Sequence, residues 1–122
     1  MSVHTRSQKL AQAAYSQIAV RTGNGQKKPE KEYVSFAKKF PALIHTCGLA
    51  QAVAFALAKK EAIYVTDLAE VLKAAGHSEI TDKGSLEHQA RNRQLSSYLR
   101  LSRDAINAAG WLKRYVEAAG EE

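Results

Sequence analysis

The chain has 122 residues, which suits one domain whose hydrophobic core is large enough to be stable without disulfides or metal ions. Its formal net charge is +6, and its single cysteine, Cys47, excludes an internal disulfide and favours a reducing compartment such as the cytoplasm. No run of about 18 apolar residues occurs, and the first residues are polar, so we expect neither a membrane span nor a signal peptide.

Alanine is abundant, glycine and proline are sparse, and apolar residues recur at three and four positions, which predicts an all-α fold. We expect residues 1–122 to form a single compact bundle of about six helices around an apolar central helix. The first helix runs from its N-cap, Thr5, to Arg21, with an inward side of Leu10, Ala11, Ala14 and Ile18. The polar, glycine-containing segment 22–29 is predicted to be a mobile loop.

The middle of the chain is predicted to hold three helices. One covers Lys31 to Lys39, and Pro41 then starts a short helix that ends near Cys47, because a proline restricts the residue before it and lacks a backbone donor. Gly48 follows as the C-terminal capping residue. The helix from Leu49 to Lys60 has almost no polar face, so we expect it to be the buried central element.

The last third of the chain is predicted to hold three more helices. Thr66 caps a helix from Asp67 to Ala75, and Ser85 caps another that ends near Arg93. The long terminal helix, Leu95 to Ala119, has an inward stripe of Tyr98, Leu101, Ala105, Ala109, Leu112 and Val116. Its outward side carries Arg100, Arg103, Asn107, Trp111 and Arg114. An indole among arginines indicates a surface that nucleic acid or another subunit covers.

The residue types that carry catalysis or bind metals are scattered. His4, His45, His77, His88 and Cys47 stand singly, without the close pairs that zinc requires. The acids, Asp104 among them, are expected mostly at helix starts or on solvated faces and show no paired arrangement suited to hydrolysis. We therefore predict no metal site, no cofactor, no catalytic residue and no enzymatic activity.

Positive charge is concentrated in the first half of the chain. Residues 1–60 carry ten Lys and Arg against two acids, whereas residues 61–122 carry eight against ten. Such a basic half favours a polyanionic partner. Lys59 and Lys60 fit solvated helix ends, where lysine is favourable. Trp111 and its neighbouring arginines suit a single strand held through its backbone, and they suit a protein interface equally.

A DNA-binding alternative comes from the helix after Thr66, followed by the helix after Ser85, which together look like a helix-turn-helix. The connection between them is longer than the usual turn, and Glu87 and His88 would stand where base-reading residues belong. A helix-turn-helix-like DNA-binding regulator is therefore the second hypothesis.

Three ordered segments resemble the small helical subunit of type III-B (Cmr) CRISPR effector complexes. They are TRSQ at 5–8 with AAY at 13–15, FPALI at 40–44 with CGLAQAVAF at 47–55, and YLRLSR at 98–103 leading to WLKR at 111–114. The resemblance implies a helical bundle without catalytic activity, whose copies stack head to tail beside the subunits that hold the guide RNA. It also implies a role in holding crRNA paired with target RNA, cleavage belonging to neighbouring subunits.

With this resemblance, the basic and aromatic residues receive expected partners. The residues expected to bind crRNA or target RNA are Arg6, Lys9, Lys38, Lys39, Arg91, Arg93, Arg100 and Arg103. Trp111, Lys113 and Arg114 are expected at a protein interface. The expected partners are other subunits of the complex, further copies of this chain and the two RNAs, with no membrane.

Overall fold

The computed structural model describes residues 5–22 and 30–120, and in that part it contains α-helices and no strands. The helices are α1 (Arg6–Arg21), α2 (Lys31–Cys47), α3 (Leu49–Ala58), α4 (Ala62–Ala74), α5 (Lys83–Asn92) and α6 (Leu95–Gly120). The predicted all-α bundle of about six helices is confirmed. Residues 23–29 of the predicted loop lie outside the described residues.

The start of α1 follows the prediction. The Thr5 hydroxyl accepts a hydrogen bond from the backbone N–H of Gln8 at 3.0 Å, and the Gln8 side-chain oxygen accepts one from the Thr5 N–H at 2.8 Å. This reciprocal capping box satisfies two donors that a helix start otherwise leaves open. Leu10, Ala14 and Ile18 are buried, as the sequence pattern predicts.

The predicted break at Pro41 is wrong, because α2 is one helix from Lys31 to Cys47 with the proline inside it. A proline inside a helix costs about 3 kcal/mol. Phe40 and Ile44, on either side of it, are 0% and 3% exposed. Burial of such side chains contributes about 1.5–3 kcal/mol each, so the apolar stripe carries the helix through the proline.

The prediction that α3 is the central helix is also wrong. This helix ends at Ala58 and leaves Gln51, Ala54, Phe55 and Ala58 exposed. The helix that packs against every other described helix is α4, whereas α6 packs most extensively against α1 and α2 and keeps one face exposed. Alanine is apolar but small, so an alanine-rich helix looks buried in sequence whether or not a neighbour covers each face.

The inward stripe predicted for α6 is confirmed. Leu101, Ala105, Ala109, Leu112 and Val116 are fully buried, and Tyr98 packs against the core from a partly buried position. At 26 residues, α6 is long enough to contact both ends of the bundle.

Two other helix starts differ from the prediction. The fourth helix begins at Ala62, which leaves Thr66 and Asp67 in its interior, because Tyr64 and Val65 are fully buried and extend the apolar stripe upstream. The N-cap of α5 is Asp82, whose carboxylate accepts from the Ser85 N–H at 2.8 Å. No helix in the described part of the chain is both long and apolar enough to cross a membrane.

Candidate nucleic-acid and subunit interface

The outer face of α6 carries the predicted cations. Arg100, Arg103 and Arg114 are exposed there, as is Asn107. Trp111 is only partly exposed, because its ring packs against the core edge and stacks on Tyr115 with centroids 5.7 Å apart. The outward-pointing indole predicted from the sequence is therefore a half-buried ring, and its exposed part lies beside Arg114 in a hollow.

Trp111 belongs to a row of aromatic rings that spans α1 and α6. The Tyr115 ring meets the Tyr15 ring edge-on at 5.5 Å, and Tyr15 is 63% exposed. Tyr15 and Tyr115 also line a second hollow of about 360 Å³ between the two helices. Neither tyrosine was predicted as a site residue from the sequence, although Tyr15 falls on the exposed side of α1. We call Tyr15, Tyr115 and Trp111 the aromatic row.

Asp104 is buried and not solvated, which corrects the expectation for this acid. Its Oδ2 accepts a hydrogen bond from Arg6 Nη1 at 3.0 Å and lies 2.7 Å from His77 Nε2. The same Arg6 nitrogen donates to the backbone oxygen of Ala75 at 3.2 Å. Arg6 therefore joins the start of α1 to α6 and to the end of α4, and this predicted RNA ligand already neutralises a buried carboxylate.

Arg91 and Arg93 likewise hold acids of their own chain. Arg91 contacts both carboxylate oxygens of Glu87, at 2.8 and 3.2 Å, and this hydrogen bonding is the main cause of the lowered pKa of Glu87. Arg93 pairs with Glu79 at 3.3 Å, and its side chain is 11% exposed. Because each of these two arginines is already paired with an acid, it attracts a phosphate less strongly than an unpaired arginine does.

Other predicted cations have no such partner. In residues 5–22 and 30–120, no acid forms an ion pair with Lys9, Lys38, Lys39, Arg100 or Arg103, and all five are exposed. Lys113 is partly buried. Consecutive positions on a helix differ by about 100°, so Lys38 and Lys39 point in different directions. Lys39 lies over the Phe36 ring, 5.8 Å from its centroid.

Lys39 lines a cleft of about 580 Å³ between α2 and the turn that joins α3 to α4. Further basic side chains of this cleft are Arg21, Lys59 and Lys60, and three glutamates, Glu30, Glu32 and Glu61, also line it. The expectation that Lys59 and Lys60 are ordinary helix ends missed this grouping. It depends on residues from four helices or their ends, which no local pattern brings together.

A buried polar network lies below this cleft. Asp67 accepts a hydrogen bond from the Tyr33 hydroxyl, and its Oδ2 lies 3.4 Å from Arg21 Nε. Burial raises the pKa of Asp67, although the Tyr33 hydrogen bond and the Arg21 charge act in the opposite direction. The pKa of Tyr33 is raised as well, by burial and then by the Asp67 charge.

No metal centre can be assembled from the described part of the chain, where no three His, Cys, Asp or Glu side chains come together. His77 and Asp104 are in contact and both are buried, and Asp104 is also paired with Arg6.

Comparison with known proteins decides the family. The family model described as CRISPR-associated protein (Cas_Cmr5) matches residues 6–119, which is nearly the whole chain. The chain belongs to the Cmr5 family. The resemblance found in the sequence is confirmed, and a DNA-binding regulator of the helix-turn-helix type is not favoured.

Relatives of this Cmr5 chain match nearly all of its length. The CRISPR system Cmr subunit Cmr5 of Thermus thermophilus is 39% identical, over 98% of this chain and 100% of that protein. A crystal structure of a CRISPR-associated Cmr5 family protein, also from Thermus thermophilus, matches with a TM-score of 0.80 and 37% identity. That match covers 94% of this chain and 97% of the other. The arrangement of helices in this Cmr5 chain is therefore that of a solved family member.

Proposed function

We propose that this chain is a non-catalytic, RNA-proximal scaffold subunit of a type III-B (Cmr) CRISPR ribonucleoprotein complex. In this role it helps to hold crRNA paired with target RNA during antiviral defence in the cytoplasm. Family membership supports assembly with other Cmr subunits. The observation that carries the RNA contact is the set of exposed cations that no acid of the described chain neutralises.

Arg100 and Arg103 are the strongest RNA ligands of this proposal. They are exposed one turn apart on α6, and a guanidinium group matches the geometry of phosphate oxygens. Lys9, Lys38 and Lys39 add positive charge that no acid of the described residues pairs with. Arg6, Arg91 and Arg93 contribute less, because each would have to share its charge between a phosphate and an acid of this chain.

Protein contact is assigned to the aromatic row with Lys113 and Arg114. Half-buried aromatic rings beside an arginine are typical of the residues that dominate binding energy at protein interfaces. The ring of Tyr15 is mostly exposed, so a neighbouring subunit or another copy of the chain could bury it with little rearrangement. The proposed subunit contacts therefore lie on α1 and α6, and α6 also carries the arginines proposed to bind RNA.

The RNA contact is tested by replacing Arg100 and Arg103 with glutamine and measuring binding of a crRNA–target duplex at several salt concentrations. Each lost phosphate contact reduces the slope of log K against log salt by about 0.9, so the double variant should lower it by about 1.8. The matched control is K73Q/K83Q, which removes the same charge from exposed lysines of α4 and α5. Equal slopes for the two double variants would contradict the assignment.

A further inference from the structure

Two nearly parallel aromatic rings, each with an ammonium group over it, lie at the cleft between α2 and the α3–α4 turn: Phe36 lines the cleft, and Phe55 packs against Phe36 beside it. Phe36 and Phe55 are nearly parallel, with an interplanar angle of 13° and centroids 6.5 Å apart. Lys39 Nζ lies 5.8 Å from the centre of the Phe36 ring, and Lys59 Nζ lies 5.6 Å from that of Phe55. Lys39 belongs to α2 and Lys59 directly follows α3, and both side chains line the cleft.

This region also leaves apolar surface in water. Phe55 is 39% exposed and Ile63, which lines the cleft, is 54% exposed. An exposed aromatic ring beside cationic side chains is the arrangement on which single-stranded nucleic acids stack their bases while their phosphates meet positive charge. The cleft volume of about 580 Å³ is within the range of small-ligand sites and is sufficient for one nucleotide.

The glutamates that line the cleft restrict what enters it. Glu30, Glu32 and Glu61 would repel phosphates bound beside them, so the phosphates of a bound strand belong at the lysines. A carboxylate accepts hydrogen bonds from a ribose hydroxyl or from an exocyclic base amine. The mixed lining therefore suits a nucleoside inside the cleft with its phosphodiesters at the rim.

We propose that this cleft binds one unpaired ribonucleotide of a single-stranded RNA segment. The base packs against Phe55 and Ile63, and the flanking phosphates bind Lys39, Lys59 and Lys60. The glutamates favour RNA over DNA by accepting from the 2′-hydroxyl. This inference rests on the proposed RNA-proximal function and adds a second, separate surface to the α6 arginines.

The charge component is tested with the full-length chain and a fluorescently labelled oligouridylate of about 12 nucleotides. Anisotropy titrations compare the wild type, K39Q/K59Q and the charge-matched control K73Q/K83Q. Two lost phosphate contacts on a single strand should lower the salt slope by about 1.4 and weaken binding about tenfold at low salt, relative to the control. Indistinguishable binding by the two double variants would overturn the proposal.

The stacking component is tested with Phe55→Leu, which keeps an apolar side chain but removes the aromatic face. This variant should weaken binding of oligouridylate about tenfold, and it should leave binding of an abasic strand of the same length unchanged. Circular dichroism melting checks that the fold is retained, and Phe55→Tyr should restore binding. An equal effect on both strands, or no effect on either, would contradict base stacking in the cleft.

The outcomes separate this proposal from the scaffold function. If the wild type binds no RNA, single-stranded or duplex, at any salt concentration, the RNA-proximal function fails and the cleft proposal fails with it. If R100Q/R103Q weakens duplex binding while K39Q/K59Q behaves like K73Q/K83Q, the cleft proposal and the assignment of Lys39 to RNA fail, and the RNA-proximal function through α6 stands. Preference of the wild type for oligouridylate over deoxyoligouridylate of equal length is the expected result for the glutamates, and equal affinity would contradict their role.

Discussion

Asp67 is a charged side chain that the fold places away from water, with 1% of the residue exposed. Its partners are the Tyr33 hydroxyl and Arg21 Nε, which come from α2 and α1. The pKa of Asp67 is nevertheless raised, because burial disfavours the charged carboxylate more than these partners favour it. Ionisation of the Asp67 carboxyl therefore costs more free energy in the folded protein than in the unfolded chain.

The raised pKa of Asp67 predicts how the stability of the wild type changes with pH relative to that of the variant Asp67→Asn. A raised folded-state pKa means that the folded wild type binds a proton more tightly than the unfolded chain, so the contribution to stability is present below about pH 3.8 and is lost as pH rises through the raised value. Asparagine can still accept from Tyr33 but does not titrate. The free energy of unfolding of the wild type should therefore rise relative to Asp67→Asn on acidification from pH 7.

Urea denaturation of both proteins between pH 7 and pH 4 measures this difference. Because the comparison is between two chains that share the other carboxylates, the opposite contributions of Asp82 and Glu87, whose pKa values are lowered, cancel. A wild type that loses stability relative to the variant as pH falls would show that the pKa of Asp67 is lowered.

At the scale of helices, the junction between α2 and α3 depends on Gly48. Its backbone angles, φ 85° and ψ 159°, lie in a region that side chains with a Cβ essentially never adopt. A Cβ at this position would also stand 3.4 Å from the Tyr98 hydroxyl, which accepts a hydrogen bond from the Ala50 N–H at 3.1 Å. The same glycine therefore ends α2, starts α3 and leaves room for a contact from α6.

Gly48→Ala should destabilise the protein by about 2 kcal/mol, because the backbone conformation is strained for any residue with a side chain. Gly110→Ala is the matched control: Gly110 lies inside α6, and a Cβ there meets nothing within 4 Å. The control should stabilise the chain by about 0.5–1 kcal/mol through helix propensity. Chemical denaturation gives both values, and similar effects of the two substitutions would refute the special role of Gly48.

Helices were predictable from the sequence where the signal is local. Thr5 and Gln8 form their capping box within one turn, and Gly48 ends a helix as its position predicts. The continuation of α2 through Pro41 was not predictable from local rules, because it depends on how completely Phe40 is buried by other helices. The exposed face of α3 was not predictable for the same reason, because the neighbouring helices decide which face of a helix is covered.

At the scale of the whole molecule, the same limit applies to the charged residues. The sequence identifies the cations, but the acid that neutralises each one can be far along the chain, as Arg6 and Asp104 show with a separation of 98 positions. Arg100 and Arg103 remain exposed and without an acidic partner in the described residues, which agrees with the expectation for RNA ligands. The cleft could be recognised only from the folded structure, because Arg21, Lys39 and Lys59 come from three helices or their ends.

The proposed function therefore assigns two separable kinds of surface, the exposed cations to RNA and the aromatic row to protein. Tyr15→Ser removes the most exposed ring of that row and no charge, so it should reduce co-purification with other Cmr subunits and leave the salt slope of RNA binding unchanged. Leu95→Ser, which also removes an exposed apolar side chain but lies outside both the row and the cleft, is the control for subunit binding. Quantifying the subunits that co-purify with each tagged variant decides the matter: equal recovery with Tyr15→Ser and wild type would place the protein contact elsewhere.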